Sequence, residues 1–337
     1  MTSSTGIVQP RMRAVVVRAP GRAEQLELAE VEAPRLHAGA VEIDVRACAL
    51  NRADLLQRRG LYPPPPGASE ILGMECAGVV RAVAPDVTGV APGSRVMALL
   101  AGGGYAERVV APAGHVLPIP EGLTFEQGAA IPEAFLTASE ALFGLGQLGP
   151  GQVVLIHAAA SGVGSAALQL AKLTGARVIA SAGSQEKLEW LRALGADRAL
   201  NYRTEELVAV CAEETKGRGV DVILDFVGAS YAEHHQQCLA ESGRWLVLGL
   251  LGGAQAQLDL GIVLRRRLQI LGLVMRSRTL ADKSAIIERF RGRFWAEFAS
   301  GRLRPIIDRV YPWGEVRAAH ERMERNENRG KIVLTVN

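Results

Sequence analysis

The chain has 337 residues, and at roughly one domain per 150 residues this length predicts two domains rather than a small scaffold that depends on disulfides. The formal net charge is only +3 and the charged residues are spread along the chain, which argues against a nucleic-acid partner. Hydrophobic residues make up 48% and charged residues 22%, so the composition excludes a disordered or fibrous protein.

The sequence shows neither a membrane span nor a targeting segment. The longest apolar runs, such as Trp245–Leu251, are shorter than the roughly 18 residues of a membrane helix, so we expect no contact with a membrane. The first residues, MTSSTGIVQPRMR, lack the order of a secretory signal, and we expect a cytoplasmic protein. The chain has four cysteines, Cys48, Cys76, Cys211 and Cys238, and they form no C-x-x-C pair. This spacing argues against both a disulfide framework and a structural zinc lobe.

The first third of the chain has the pattern of a β-rich domain. Valine-rich alternating stretches lie at Met12–Val17, Val41–Ala47, Gly78–Val83 and Arg95–Leu100, and turns with proline and glycine separate them. Between the second and third stretches, Leu61–Gly67 contains four consecutive prolines. Because proline lacks an amide donor and fixes its own φ, we expect this run to be an exposed, stiff loop.

After Pro132 the pattern changes to alternating helices and strands. Apolar residues at helical spacing first predict a linking helix that ends before Gly149. The alternation that follows is typical of βαβ units, so we predict an α/β fold with a doubly wound, parallel Rossmann sheet. The predicted strands are 153–157, 177–182, 220–226, 245–250 and 268–273, and the predicted helices between them are 163–173 and 185–194.

The last part of the chain returns to helix and then to strand from Val274 onward. We expect the terminal strand, Lys331–Val336, to rejoin the first domain. The predicted boundaries are therefore 1–132 and 274–337 for the β-rich domain and 133–273 for the Rossmann domain.

Small residues follow the first strand of the alternating series, at Ala158–Ser165. A backbone with few side chains can approach a pyrophosphate, whose charge then binds the free amides at a helix N-terminus. Gly162 and Gly164 allow that approach, although the strict G-x-G-x-x-G pattern would place glycines at Ala159 and Ser161. We predict a dinucleotide site here; the alternative is an ordinary tight turn.

The end of the second strand of the series indicates which dinucleotide is bound. An acidic residue there would bind the ribose 2′-hydroxyl of NADH, but the expected position falls at or beside Ala182. Ser184 and Lys187 can instead donate hydrogen bonds to a 2′-phosphate, so we predict NADPH as the cofactor. Lys187 could also be a solvated residue paired with Glu186 or Glu189.

The order of these domains resembles the medium-chain dehydrogenase/reductase superfamily, in which the β-rich domain is GroES-like. The chain resembles the zinc-free quinone oxidoreductase branch, which includes zeta-crystallin, at Ala49–Asp54, Tyr62, Gly73–Glu75, His157–Gly164 and Asn201–Tyr202. It resembles the tumour-suppressor-inducible NADPH:quinone oxidoreductase group more narrowly, at Ile131–Thr137, Gly183–Gln185, Arg276–Arg278 and Gly330–Leu334.

The resemblance implies an enzyme without a metal. Zinc-dependent relatives hold their catalytic metal with Cys, His and Cys, and the matching positions here are Asn51, Met74 and Glu133. The segment Leu99–Gly104 also lacks the cysteines of a structural zinc lobe. Without a Lewis acid an alcohol is a poor substrate, whereas a quinone accepts electrons unaided. We therefore expect an NADPH-dependent quinone oxidoreductase that acts mainly by positioning its substrates.

The same resemblance implies the site residues. Asn51 and Tyr62 would lie in the interdomain cleft and orient an acceptor carbonyl, with Tyr62 protonated at neutral pH; packing on the proline loop is the alternative for Tyr62. Tyr202 would contact the 2′-phosphate together with Lys187, or be a plain turn residue. The expected cofactor-binding residues are Ser161, Gly162, Val163, Gly164, Gly183, Ser184, Lys187, Tyr202, Leu248, Gly249, Leu273 and Asn328.

Two other functions remain open at this point. One is an NADPH-dependent reductase of α,β-unsaturated carbonyls or enoyl thioesters, and the other is a non-catalytic, crystallin-like NADPH-binding protein. The resemblance also implies a homodimer that forms through the edge of the Rossmann sheet. The histidines offer no catalytic triad, so we expect structural or solvated roles for His157, His234 and His235.

Overall fold

The structure, a computed structural model, describes residues 10–337. Its strands are β1 (Arg11–Val17), β2 (Leu26–Glu32), β3 (Ala40–Ala49), β4 (Glu75–Val83), β5 (Arg95–Leu99), β6 (Arg108–Pro112), β7 (Val116–Pro118), β8 (Val153–Ile156), β9 (Arg177–Ala182), β10 (Arg198–Asn201), β11 (Val220–Asp225), β12 (Leu239–Val247), β13 (Gln269–Gly272), β14 (Ile307–Pro312) and β15 (Lys331–Thr335).

The helices of the same residues connect and cover these strands. They are α1 (Arg52–Arg58), α2 (Phe125–Ala129), α3 (Pro132–Ser139), α4 (Gly162–Leu173), α5 (Gln185–Ala193), α6 (Leu207–Thr215), α7 (Ala232–Cys238), α8 (Leu260–Arg266), α9 (Leu280–Ala299) and α10 (Val316–Glu324). Within residues 10–337 no helix combines the length and the apolar character needed to cross a bilayer.

The predicted Rossmann sheet is confirmed. It has six parallel strands in the order β10-β9-β8-β11-β12-β13. The chain runs outward from β8 to β10 and then returns to β11 on the other side, so the topology switches between β8 and β11. Doubly wound sheets bind their ligands at the carboxyl ends of the strands at such a point.

The β-rich part is confirmed as well. β1 and β2 form an antiparallel pair, and a seven-stranded sheet contains β3 to β7 together with β14 and β15. The terminal strand β15 pairs with β3, where Val333 lies opposite Ala49. The last strand of the chain therefore returns to the first domain, as predicted.

Two predicted elements differ from the structure. β12 begins at Leu239 and ends at Val247, whereas the sequence predicts 245–250, because the polar run Glu241–Arg244 gave no strand signal. The linking helix ends as α3 at Ser139 and continues as a wider π-helical turn, Glu140–Leu145. The apolar spacing is similar in both helix types, so periodicity did not reveal the change.

One continuous core joins the two sheets. It includes Met97 of β5 and Val154 of β8 together with side chains of α3, α4 and α9. Phe135 of α3 contacts Phe298 of α9 edge-on, with ring centroids 5.0 Å apart, and Phe290 packs beside both rings. These rings fix α3 at the junction between the sheets.

We expect Phe290→Ala to lower the free energy of unfolding by about 3 to 5 kcal/mol, because the ring is buried and its removal leaves a cavity. Leu280→Ala at the exposed start of the same helix is the control and should change stability by less than about 0.5 kcal/mol. Urea unfolding followed by circular dichroism measures both variants. An equal loss of unfolding free energy in Phe290→Ala and Leu280→Ala would contradict the role given to Phe290 in the core.

Candidate functional site

The loop between β8 and α4 presents free amides at the switch point. Ser161 precedes α4 with an extended backbone, and its Oγ accepts a hydrogen bond from the Gly164 amide at 3.1 Å. Among residues 10–337, no acceptor is found for the amides of Gly162 and Val163. Two unpaired donors at the positive end of a helix fit the pyrophosphate of a dinucleotide.

The glycines of this loop are required by close packing. A Cβ on Gly164 would lie 2.6 Å from the carbonyl oxygen of Ala158, and one on Gly162 would clash with Cδ of Lys331. Ala158 itself has a φ of +44°, a left-handed conformation that is unfavourable for alanine. The sequence pattern located the loop correctly, and the structure shows that Gly162 makes room for Lys331.

The segment Asn328–Lys331 crosses this loop. The Gly330 amide donates to the carbonyl oxygen of Ala160 at 2.8 Å, and Gly330 also forms an isolated parallel bridge with Ser161. Asn328 is buried, and its Nδ2 donates to the Gly330 carbonyl at 2.8 Å. Asn328 therefore holds the segment that lies against the phosphate loop, which places it beside the predicted cofactor.

Lys331 is a buried cation of the β-rich domain, and its side chain lies beside the start of α4. Its Nζ donates to the Leu50 carbonyl and to Asn51 Oδ1, each at 2.7 Å, and lies 2.5 Å from Glu75 Oε1. All three ammonium hydrogens thus have acceptors, which a buried charge requires. The other Glu75 oxygen accepts the amide of Glu133 at 2.8 Å. This interaction fixes the start of α3 relative to the phosphate loop.

Asn51 is oriented by the same contacts. Its Nδ2 donates to Glu75 Oε1 at 2.9 Å and, more weakly, to the Ala49 carbonyl at 3.4 Å. The side-chain amide therefore has no free hydrogen for an acceptor carbonyl in this structure. The predicted role of Asn51 in binding an acceptor stays a prediction, and it would require one of these bonds to be exchanged.

Tyr62 lies at the junction between the domains, against a buried arginine. The Arg276 guanidinium is 5.3 Å from the Tyr62 ring centroid and donates to Gln57 Oε1 at 2.8 Å and to the Ala101 carbonyl at 2.7 Å. Lys283 in turn donates to the Arg276 carbonyl at 2.7 Å. Burial raises the pKa of Tyr62, so the phenol is protonated at neutral pH and can donate a hydrogen bond.

The residues predicted to bind the 2′-phosphate meet at the carboxyl ends of β9 and β10. Ser184 caps α5, and a Cβ on Gly183 would clash with the Tyr202 hydroxyl. Lys187 is half-buried, which lowers its pKa, and its Nζ donates to the Asn326 carbonyl at 2.6 Å. Lys187 makes no ion pair with Glu186, which instead contacts Arg329.

The predicted nicotinamide-side residues follow β12 and β13. The amides of Leu248 and Gly249 both donate to the Asp225 carbonyl, at 2.7 and 3.2 Å, and the Leu273 amide donates to Val247 at 3.0 Å. These donors are therefore already used within the protein. The carbonyl oxygens of Leu248, Gly249 and Leu273 accept no hydrogen bond from the described residues, so they could accept one from a carboxamide.

A chain of buried histidines lies behind the phosphate loop, and the sequence alone revealed no partner for either ring. His157 Nδ1 lies 3.0 Å from Ser181 Oγ, and its Nε2 lies 2.9 Å from Nε2 of His235. His235 Nδ1 is 3.6 Å from the buried carboxylate of Asp225. Burial lowers the pKa of each imidazole to about 3, so both rings are neutral, and both are buried rather than solvated.

The positions that match the zinc ligands of other dehydrogenases hold Asn51, Met74 and Glu133. Among residues 10–337, no group of three or more His, Cys, Asp or Glu side chains is placed to hold a metal ion.

Two family profiles match the chain. The profile of the alcohol dehydrogenase GroES-like domain matches residues 37–121, and that of the zinc-binding dehydrogenases matches residues 162–290. The synaptic vesicle membrane protein VAT-1 homolog of Danio rerio is 32% identical over 340 residues, which cover 96% of this chain and 70% of that protein. The chain belongs to the medium-chain dehydrogenase/reductase superfamily.

A much longer relative contains a similar segment. One component of the phenolphthiocerol/phthiocerol polyketide synthase of Mycobacterium tuberculosis is 33% identical over 317 residues. The match covers 94% of this chain and 14% of that polyketide synthase component. The chain therefore spans only a small part of this relative.

Solved structures share the architecture of this superfamily member. An NAD-dependent alcohol dehydrogenase has a TM-score of 0.86 at 36% identity and covers 97% of this chain and 100% of its own. A quinone oxidoreductase of Pseudomonas syringae pv. Tomato has a TM-score of 0.86 at 30% identity, with 96% and 100% covered. The CurK enoyl reductase has a TM-score of 0.86 at 28% identity, with 97% and 99% covered. The superfamily to which the chain belongs is a family of nicotinamide-dependent oxidoreductases.

The contact between Glu75 and Lys331 was not predicted from the sequence. Both residues stand inside motifs that carried the resemblance, Gly73–Glu75 and Gly330–Leu334. The signal available was a charged residue next to a largely apolar stretch at each place, since such a residue needs a partner when it is buried.

We expect Lys331→Met to lower the free energy of unfolding by about 3 to 5 kcal/mol, because it leaves the buried Glu75 carboxylate without its cation. Lys172→Met is the matched control: it removes a more exposed lysine that pairs with Asp197, which should cost at most about 1 kcal/mol. Adding Glu75→Gln to Lys331→Met should restore part of the loss. Similar urea midpoints for the two single variants would disprove the account.

Proposed function

We propose that this oxidoreductase transfers a hydride from NADPH to a quinone at the junction between its domains, without a metal. The observation that carries the proposal is the pair of free amides at the start of α4, beneath the segment Asn328–Lys331. When bound, the reduced nicotinamide supplies the hydride. The residues of the chain bind the cofactor, orient the acceptor and exclude water.

The preference for NADPH rests on the carboxyl end of β9. The strand ends at Ala182, and no acidic side chain takes the position that would bind a free ribose 2′-hydroxyl. The Lys187 ammonium donates to the Asn326 carbonyl and keeps further hydrogens for a phosphate oxygen. The Tyr202 hydroxyl lies against Gly183, the residue before Ser184.

The quinone acceptor is supported by the likeness to the Pseudomonas quinone oxidoreductase and by Tyr62. Its protonated phenol can donate a hydrogen bond to an oxygen that gains negative charge during reduction. A second candidate, a reductase of α,β-unsaturated carbonyls or enoyl thioesters, is supported by the likeness to the CurK enoyl reductase. Both reactions begin with a hydride transfer to a conjugated acceptor.

We also propose that two copies associate through the edge of the six-stranded sheet. The edge strand β13 carries Ile270, which is 40% exposed, and the neighbouring helix α8 exposes Leu260 and Leu264 at 72% and 78%. Apolar side chains grouped at an unpaired strand favour a second copy as the partner. The four cysteines are buried and free, which is consistent with a cytoplasmic location.

The proposed reaction predicts turnover of a naphthoquinone by chelator-treated protein, with a lower KM for NADPH than for NADH. An α,β-unsaturated aldehyde and an enoyl thioester are assayed beside it by the loss of absorbance of the reduced cofactor. Faster turnover of either alkene would assign the second candidate. Saturable NADPH binding without turnover of any acceptor would favour the non-catalytic alternative and overturn the proposal.

Removal of the Lys187 ammonium should weaken NADPH selectively. We expect Lys187→Ala to raise the Kd for NADPH about 10- to 100-fold, because a charge-assisted hydrogen bond contributes about 1.5 to 3 kcal/mol, and to leave the Kd for NADH unchanged. Fluorescence titration measures both values, and the exposed Lys216→Ala is the control. An equal loss for both cofactors would show that Lys187 does not contact the 2′-phosphate.

A further inference from the structure

Glu133 has an unpaired carboxyl group at the junction between the domains. It stands in the first turn of α3, and its backbone amide is held by Glu75 at 2.8 Å. Its side chain is half-buried and makes no hydrogen bond or ion pair with any of residues 10–337. Asp54, a neighbouring buried acid, instead accepts hydrogen bonds from the amides of Asn51 and Gly73.

The surroundings of Glu133 favour its neutral form. Loss of water around the carboxyl raises its pKa most, the nearby Glu75 carboxylate adds to this, and the pKa reaches about 8. The N-terminal end of α3 and the neighbouring cations lower the pKa of Glu133, but by less than burial raises it. The titratable and charged groups that face Glu133 are Asp54 of α1, Tyr62 of the proline loop, Glu75 of β4, Arg276 before α9, Lys283 of α9 and Lys331 of β15.

We propose that Glu133 is the proton donor to the acceptor in the reaction proposed above, on which this inference rests. The hydride supplies two electrons to the acceptor, and the O–H bond of Glu133 breaks as a new O–H or C–H bond forms on it. The electron pair of the broken bond stays on the Glu133 carboxylate. Water then returns a proton to the carboxylate, because the side chain is only half-buried.

Glu133 is a better donor here than Tyr62. A general acid works best when its pKa lies near the operating pH, and burial moves the pKa of Tyr62 upward from an already high value. Arg276 packs against the Tyr62 ring, so this tyrosine is well placed to orient the acceptor. The two side chains would then have separate tasks at the junction, proton donation and orientation.

The test compares Glu133→Gln with the parent protein. We expect kcat to fall about 100-fold, the low end of what general acid catalysis contributes, with the Kd for NADPH unchanged. In the parent protein kcat should fall as the pH rises through about 8, because the donor loses its proton, and the variant should lack this decline. Glu126→Gln, in the first turn of α2, is the matched control and should keep the parent kcat and pH profile.

A second measurement needs neither cofactor nor acceptor. Carbon-13 NMR of glutamate carboxyl groups should show one signal that titrates near pH 8 in the parent and is missing in Glu133→Gln. A kcat within threefold of the parent, or the absence of that signal, would overturn the role of Glu133 while leaving the reductase function intact. A parent protein that binds NADPH and reduces no acceptor would overturn the proposed function and this role together.

Discussion

The rest of the site depends on the hydrogen bonds that the buried ammonium group of Lys331 donates. It comes from the terminal strand of the chain, yet it contacts Leu50 and Asn51 at the end of β3 and Glu75 at the start of β4. Its aliphatic stem lies against Gly162 at the start of α4. A charge buried in this way is stable only when its acceptors hold their places, so the ends of β3, β4 and β15 are fixed together beside the start of α4.

The same contact places a cation of the chain itself beside the polar groups of the junction. The ammonium of Lys331 is committed to Leu50, Asn51 and Glu75. Burial raises the pKa of two other groups of the junction, Tyr62 and Glu133, and so favours their protonated forms. Two protonated donors suit the proposed acceptor, which takes up electrons unaided and then needs protons.

Much of the fold could be predicted from local patterns. The βαβ alternation indicated the Rossmann sheet because apolar periodicity is a local property, and the small residues at Ala158–Ser165 located the turn between β8 and α4 for the same reason. β12 was placed too late since its first half, Glu241–Arg244, is polar. A run of apolar residues shows which part of a strand is buried, and it does not show where the hydrogen bonding of the strand begins.

The contacts that organise the site could not be predicted. Asn51 and Lys331 are 280 residues apart, and His157 and His235 are 78 apart, so no local spacing relates them. The prediction that Asn51 orients an acceptor carbonyl came from the resemblance of Ala49–Asp54 to the quinone oxidoreductase branch. The structure shows that Glu75 and Ala49 already take its hydrogens. Side-chain partners depend on packing between distant segments, and only the three-dimensional arrangement reveals them.

The central claim is that a nicotinamide cofactor lies on the free amides of α4, beneath the segment that carries Lys331. Hydrogen exchange with and without saturating NADPH, resolved by mass spectrometry, tests it most directly. Exchange should slow at residues 158–165, 183–187 and 326–331, because the cofactor would cover or pair these amides, and should not change in β7. Unchanged exchange at residues 158–165 with the cofactor bound would contradict the claim.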